Sequence, residues 1–159
     1  MRLIDAAGHG VDLRVTGYQF PDAEDLAQRH SWHMVEGTAT SPEGSWTFRY
    51  PALTCDDSQY VARWLRTTAL RESSWPNTEA APTVPASLAF TEPNLTMAAS
   101  DYAPDLVTLD IGLDLEFSPP WRHRDRAGTP FVIRTRLTHQ QLERAADDWE
   151  QEIAPYPNH

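Results

Sequence analysis

Alternation of apolar and polar side chains with a period of two dominates the chain, the mark of strands with one face on a core and one in water. Val11, Leu13 and Val15 alternate with Asp12, Arg14 and Thr16 until Gly17 ends the run. Trp32, Met34 and Glu36 begin a second strand. Ser41-Pro42-Glu43-Gly44 reads as a tight turn, with Pro setting φ and Gly giving a permissive end, and Trp46, Phe48 and Tyr50 then complete a hairpin. Leu88 and Phe90 mark a short strand, and Leu95, Met97 and Ala99 another. The longest alternation runs Val107, Leu109, Ile111, Leu113, Leu115, Phe117, with Asp110, Gly112, Asp114 and Glu116 on its wet face. Phe131, Ile133, Thr135 and Leu137 close the set, with Arg134 and Arg136 facing away.

Two segments switch to helical spacing. Near 54–71, Thr54 and Asp57 stand in capping-box positions ahead of Val61, Trp64, Leu65 and Thr68, which share one face. Near 139–153, Thr138 and Gln141 repeat the box, Leu142, Ala145, Ala146, Trp149 and Ile153 form the stripe, and Pro155 stops the helix. Strands, helix, strands, helix is not the order of parallel β-α-β winding. It predicts an α+β fold: an antiparallel sheet of about seven to nine strands, sandwich-like or half-barrel-like, with two helices. At 159 residues one domain, 1–159, is the expectation, and the Pro-rich stretch 72–87 reads as an internal loop.

Composition narrows the function. The 23 acidic side chains outnumber 13 basic ones, all of them Arg, for a net charge of −10. That balance argues against nucleic acid as a partner, because affinity there comes from neutralising phosphates, and it favours a basic protein. No window reaches the roughly 20 apolar residues of a membrane helix, and Met1-Arg2-Leu3-Ile4-Asp5 turns polar too soon for a signal peptide. The lone Cys55 suits a reducing cytoplasm.

Reactive constellations are weak. His30 and His33, entering a strand three apart, would point to opposite faces, with no third metal ligand nearby. Cys55 opens a helix, but Asp56 and Asp57 oppose thiolate formation, so an ordinary packed thiol is expected. His123-Arg124-Asp125 matches a kinase tripeptide in a chain without Lys, a Gly-rich loop or a Walker loop. Neither an enzyme nor a cofactor is expected. A hydrolase or ligand binder would have to use the His30–His33 region or Cys55.

Acids and aromatics supply the better candidates. Asp110, Asp114 and Glu116 on the long strand, with Asp101 and Asp105 in the turn before it, suggest a landing surface for a basic protein. The last helix adds Glu143, Asp147, Asp148, Glu150 and Glu152. Trp121, in the loop Ser118–Arg126 that holds the basic cluster, is a candidate anchor, and Trp75 is another aromatic in a polar loop. Each of these acids also has the plainer reading of a solvated, solubilising side chain.

In order, Gly17-Tyr18-Gln19-Phe20-Pro21, Gly44-Ser45-Trp46, Pro51-Ala52-Leu53-Thr54, Trp64-Leu65, Phe90-Thr91-Glu92-Pro93-Asn94-Leu95, Pro119-Pro120-Trp121 and Tyr156-Pro157 run along nearly the whole chain. This series resembles the WapI-type immunity proteins of bacteria. The resemblance implies a small cytoplasmic protein that occludes a cognate toxin domain, often a nuclease of a polymorphic toxin system. It carries no catalytic residues with it. The 72–87 loop is longer than the family pattern suggests. The shared pieces read as fold-defining turns, with partner-reading residues among the rest. The alternative is a regulatory or assembly protein of the same fold with no toxin.

Overall fold

The computed structural model describes residues 1–70, 86–122 and 129–158. Among them, eight antiparallel strands form two four-stranded sheets and three helices are present, with no closed barrel. The first sheet runs in chain order: β1 (Arg2–Ile4), β2 (Gly10–Tyr18), β3 (Trp32–Ser41) and β4 (Gly44–Thr54). The second holds β5 (Ser87–Ala89), β6 (Leu95–Tyr102), β7 (Leu106–Leu113) and β8 (Phe131–Thr138). A short helix α1 (Leu26–Arg29) links β2 to β3, α2 (Cys55–Leu70) follows β4, and α3 (His139–Ile153) follows β8.

The α+β class and the two long helices follow the sequence pattern closely. Both capping boxes form. The Asp57 amide donates to Thr54 Oγ1 at 2.9 Å, and the Gln141 amide donates to Thr138 Oγ1 at 3.1 Å with the reciprocal bonds in place. The inward residues of β3 are His33, Val35, Gly37 and Ala39, the set alternate to Trp32, Met34 and Glu36. β3 keeps this one phase along its length, and the extra residues of its two irregular pairings lie in its neighbours, between Val15 and Tyr18 of β2 and between Tyr50 and Leu53 of β4. Two elements lack a pattern of their own: β1 has three residues and α1 four, too few to show a period. Of the loop at 72–87, residues 72–85 lie outside the described residues, and Ser87 already begins β5.

The long alternation is corrected at its end. β7 stops at Leu113, and Leu115–Phe117 is a 3-10 turn. Leu115 adopts φ 48° and is exposed, whereas Phe117 turns back into the core. A period of two cannot distinguish a continuing strand from a turn that happens to re-bury the second residue after it.

One hydrophobic cluster joins both sheets and both long helices. Between the sheets, Phe48 meets Phe117 with ring centroids 4.0 Å apart, and Trp46 meets Phe131 edge-on at 5.5 Å. The Trp46 indole donates to the Phe117 carbonyl at 2.9 Å. α3 lies against β1, β2 and β8 while α2 lies against β3 and β4, and the two helices pack on each other. Trp64 and Trp149 are buried there, and the Trp149 indole donates to the Ser58 carbonyl at 2.8 Å. Each such ring hides roughly 150–250 Å², or about 4–6 kcal/mol of transfer free energy before ordering costs. The outer faces of both sheets and the outer side of the helix pair are left to solvent.

Candidate partner-binding surface

The six candidate residues do not gather in one place. β7 has eight residues, so its ends are roughly 25 Å apart. Asp101, on β6, and Asp105, in the β6–β7 turn, are exposed at the end where Leu106 pairs with Thr138 and α3 departs. Asp110 stands mid-strand. Asp114, Glu116 and Trp121 follow the other end.

Register decides what Asp110 does. It lies opposite Arg134 of β8, and its carboxylate accepts from Arg134 Nε at 2.6 Å and Nη2 at 3.0 Å. Those bonds hold its pKa below the usual carboxylate range, outweighing the opposing effect of partial burial. Thr108 lies opposite Arg136 in the same way. The strands of this sheet therefore carry Asp101 and Asp110 against Arg134 and Arg136, a balanced face rather than an acidic one. The arginines face away from the core, and so they face the acids.

Asp114 leaves the wet face altogether. It is 8% exposed and caps the 3-10 turn by accepting from the Leu115 amide at 2.9 Å, while its own amide donates to the Asn94 carbonyl at 3.0 Å. Glu116 is exposed and accepts from Asn94 Nδ2 at 2.8 Å. Asn94 is fully buried, so the Glu92-Pro93-Asn94-Leu95 motif ties one turn to the other and shapes the fold. Trp121 is 42% exposed and leans edge-on against Trp46 at 5.3 Å. It lies across Gly44, where φ is 148° and an added Cβ would come 3.0 Å from the indole. Trp75 and His123-Arg124-Asp125 lie outside the described residues.

The helix pair does carry a surplus of negative charge, four of the chain's ten units. α2 and α3 hold seven carboxylates and three Arg side chains. Glu143, Asp147, Asp148 and Glu150 are exposed on α3. Arg66 of α2 donates to Asp147 at 2.7 Å and to Glu150, which lowers the Glu150 pKa chiefly through that hydrogen bond. Both carboxylates remain more than half exposed, so the pairing contributes little stability.

The nucleophile and metal candidates occupy structural positions. Cys55 is buried, and burial with help from Asp56 pushes its thiol up to about 11. His30 is the C-cap of α1 rather than a strand residue, and Tyr18 packs against both histidine rings, at 4.9 Å from His30 and 5.8 Å from His33. They therefore share a neighbour instead of pointing apart. His33 is 1% exposed, with Nδ1 2.8 Å from Ser58 Oγ and Nε2 2.9 Å from the Tyr156 carbonyl. Sequence reading missed this cluster of Tyr18, His33, Ser58 and Tyr156, although Tyr18 and Tyr156 both fall in motifs of the ordered series. Among the described residues no group of three or more His, Cys, Asp or Glu is placed to hold a metal ion. Nor is any helix there long and apolar enough to cross a membrane.

No curated protein matches the chain. A family model does, over residues 2–157, so that both sheets, both capped helices and the turns tied by Asn94 fall inside the match: the chain belongs to the immunity protein WapI-like family.

Proposed function

We propose that this immunity protein binds and neutralises a cognate toxin domain with a basic surface, in the cytoplasm, by occlusion and without catalysis. Family membership over nearly the whole chain is the observation that carries the reading. The net charge of −10 adds the direction: a carboxylate surface attracts the kind of protein face that would otherwise meet phosphates, as a nuclease does. The contact surface assigned here begins with Asp101 and Asp105 and continues over the exposed acids of α3. Glu116 and Trp121 form a separate contact beyond the far end of β7, Trp121 as the apolar anchor. Asp110 and Asp114 act from within, one by pairing with Arg134 and the other by capping a turn.

A non-catalytic role is supported by what the reactive side chains do. The Cys55 thiol is buried and hard to ionise, Ser58 is fully buried, and both nitrogens of His33 are engaged. Co-expression with the toxin domain encoded beside this gene is the test. Rescue of growth together with co-purification is expected. A protein that neither rescues nor co-purifies would instead fit the regulatory role without a toxin.

A further inference from the structure

The residues after α3 are fastened by contacts that converge from four elements. The Tyr18 hydroxyl, from β2, donates to the Pro157 carbonyl at 2.7 Å. His33 Nε2, from β3, is 2.9 Å from the Tyr156 carbonyl, and Asn158 donates to Asp56 at the start of α2. The Tyr156 ring sits edge-on to Tyr18 at 5.6 Å and against His33 at 6.3 Å, while its amide donates to the Ile153 carbonyl at 2.9 Å. This segment is a wall of two surface grooves. Pro155 and Tyr156 line one with Arg14 and Asp148; Asn158 lines the other with Trp32 and Cys55.

The protonation state of His33 follows from its partners. A carbonyl oxygen only accepts, so Nε2 must carry the hydrogen that reaches Tyr156. Nδ1 is then bare and accepts from the Ser58 hydroxyl. A proton added at Nδ1 would meet the Ser58 oxygen, force its hydroxyl hydrogen elsewhere and leave a charge on a ring that is 1% exposed. Around the ring stand Tyr18 from β2, Ser58 from α2 and Tyr156, with Cys55 of α2 and His30 of the α1 C-cap beside Tyr18. Of the two carboxylates on this turn of α2, Asp56 is bonded to Asn158 and Asp57 accepts from the Thr54 and Thr91 amides.

We propose that Ala154–Asn158 is a strap that neutral His33 holds shut and that acidification releases. Burial lowers the His33 pKa, against the raising effect of the Tyr156 carbonyl. The sign follows: the closed strap binds fewer protons than the open one. Closure is therefore at full strength above the ordinary histidine value of about 6.5 and is lost as pH falls below it. Between that value and the lowered one the open population rises by at most about tenfold per pH unit.

The test is hydrogen exchange of the Tyr156 amide in the intact protein, corrected for the intrinsic rate, together with NMR titration of the His33 ring. From pH 7.5 to pH 5 protection is expected to fall severalfold, with the loss starting near pH 6.5, above the midpoint of the His33 resonance. His33→Gln, which keeps a donor near the Tyr156 carbonyl but does not titrate, should show no such fall. Tyr18→Phe should lower protection at every pH and keep the slope. Wild-type protection constant within about twofold across that range, a parallel fall in His33→Gln, or a His33 midpoint at or above about 6.5 would each overturn the proposal.

Discussion

Two surfaces of this molecule carry carboxylates at regular intervals, the outer face of the β5–β8 sheet and the outer side of the α2–α3 pair, and only the second keeps a surplus. On the sheet, what faces Asp110 is fixed by pairing with a strand more than twenty residues away, and that strand presents Arg134. On α3 the neighbours of an exposed acid are its own residues three and four places on, which include Glu143 with Asp147 and Asp147 with Glu150. Arg66 and Arg144 offset only part of that charge. A helix face thus declares its charge in the sequence, whereas a strand face declares it only once register is known.

The largest effect expected comes from removing the helix pair's anchor. Trp149→Ala deletes a buried indole and its hydrogen bond to the Ser58 carbonyl, and should cost about 3–5 kcal/mol in urea unfolding. Val132→Ala, on the half-open outer face of β8, should stay within about 0.5 kcal/mol.

Reversing Glu143 and Asp148 to Lys should slow association with the cognate toxin by about tenfold or more at low salt. Asp110→Asn combined with Arg134→Gln, which leaves the net charge of the sheet face unchanged, should alter it by less than about twofold. Stopped-flow or surface binding would separate the two, and equal effects would erase the contrast between the surfaces. Asp101→Lys with Asp105→Lys should fall with the helix pair, since these residues stand at the end from which α3 departs.

Smaller again is Thr138→Ala, which removes the capping box joining β8 to α3 and should lower stability by about 1 kcal/mol in thermal or urea unfolding. The smallest effect belongs to the Asp110–Arg134 pair, seen as a pH dependence. The lowered pKa of Asp110 means its contribution is present above the ordinary aspartate value of about 3.9 and fades as pH falls through the lowered one. Asp110→Asn should therefore flatten the acid limb of the stability profile slightly and leave neutral pH almost unchanged.

Most of the fold was legible wherever a pattern had room to repeat. Thr54–Asp57 and Thr138–Gln141 mark their helices because a capping box is local chemistry. The Val107–Leu113 face is readable because four buried side chains repeat with one period. The site was less legible. Asp114 fits the wet phase of β7, but the strand has already ended and the side chain caps a turn, an outcome that depends on Leu115 entering the left-handed region. The wet-face position of Asp110 is readable from the alternation, but its pairing with Arg134 is not, because register across strands is a tertiary property. The His33 cluster could not be foreseen, since Tyr156 lies 123 residues away.

The central claim is that an acidic surface on this immunity protein meets a basic toxin domain. Measuring affinity for the toxin domain encoded beside the gene from about 50 to 500 mM salt, with wild type and the Glu143→Lys, Asp148→Lys double variant, tests it most directly. Tight binding that weakens by at least about tenfold across that range is expected, with a visibly shallower dependence in the variant. Binding that is independent of salt, and equal in the two proteins, would contradict it.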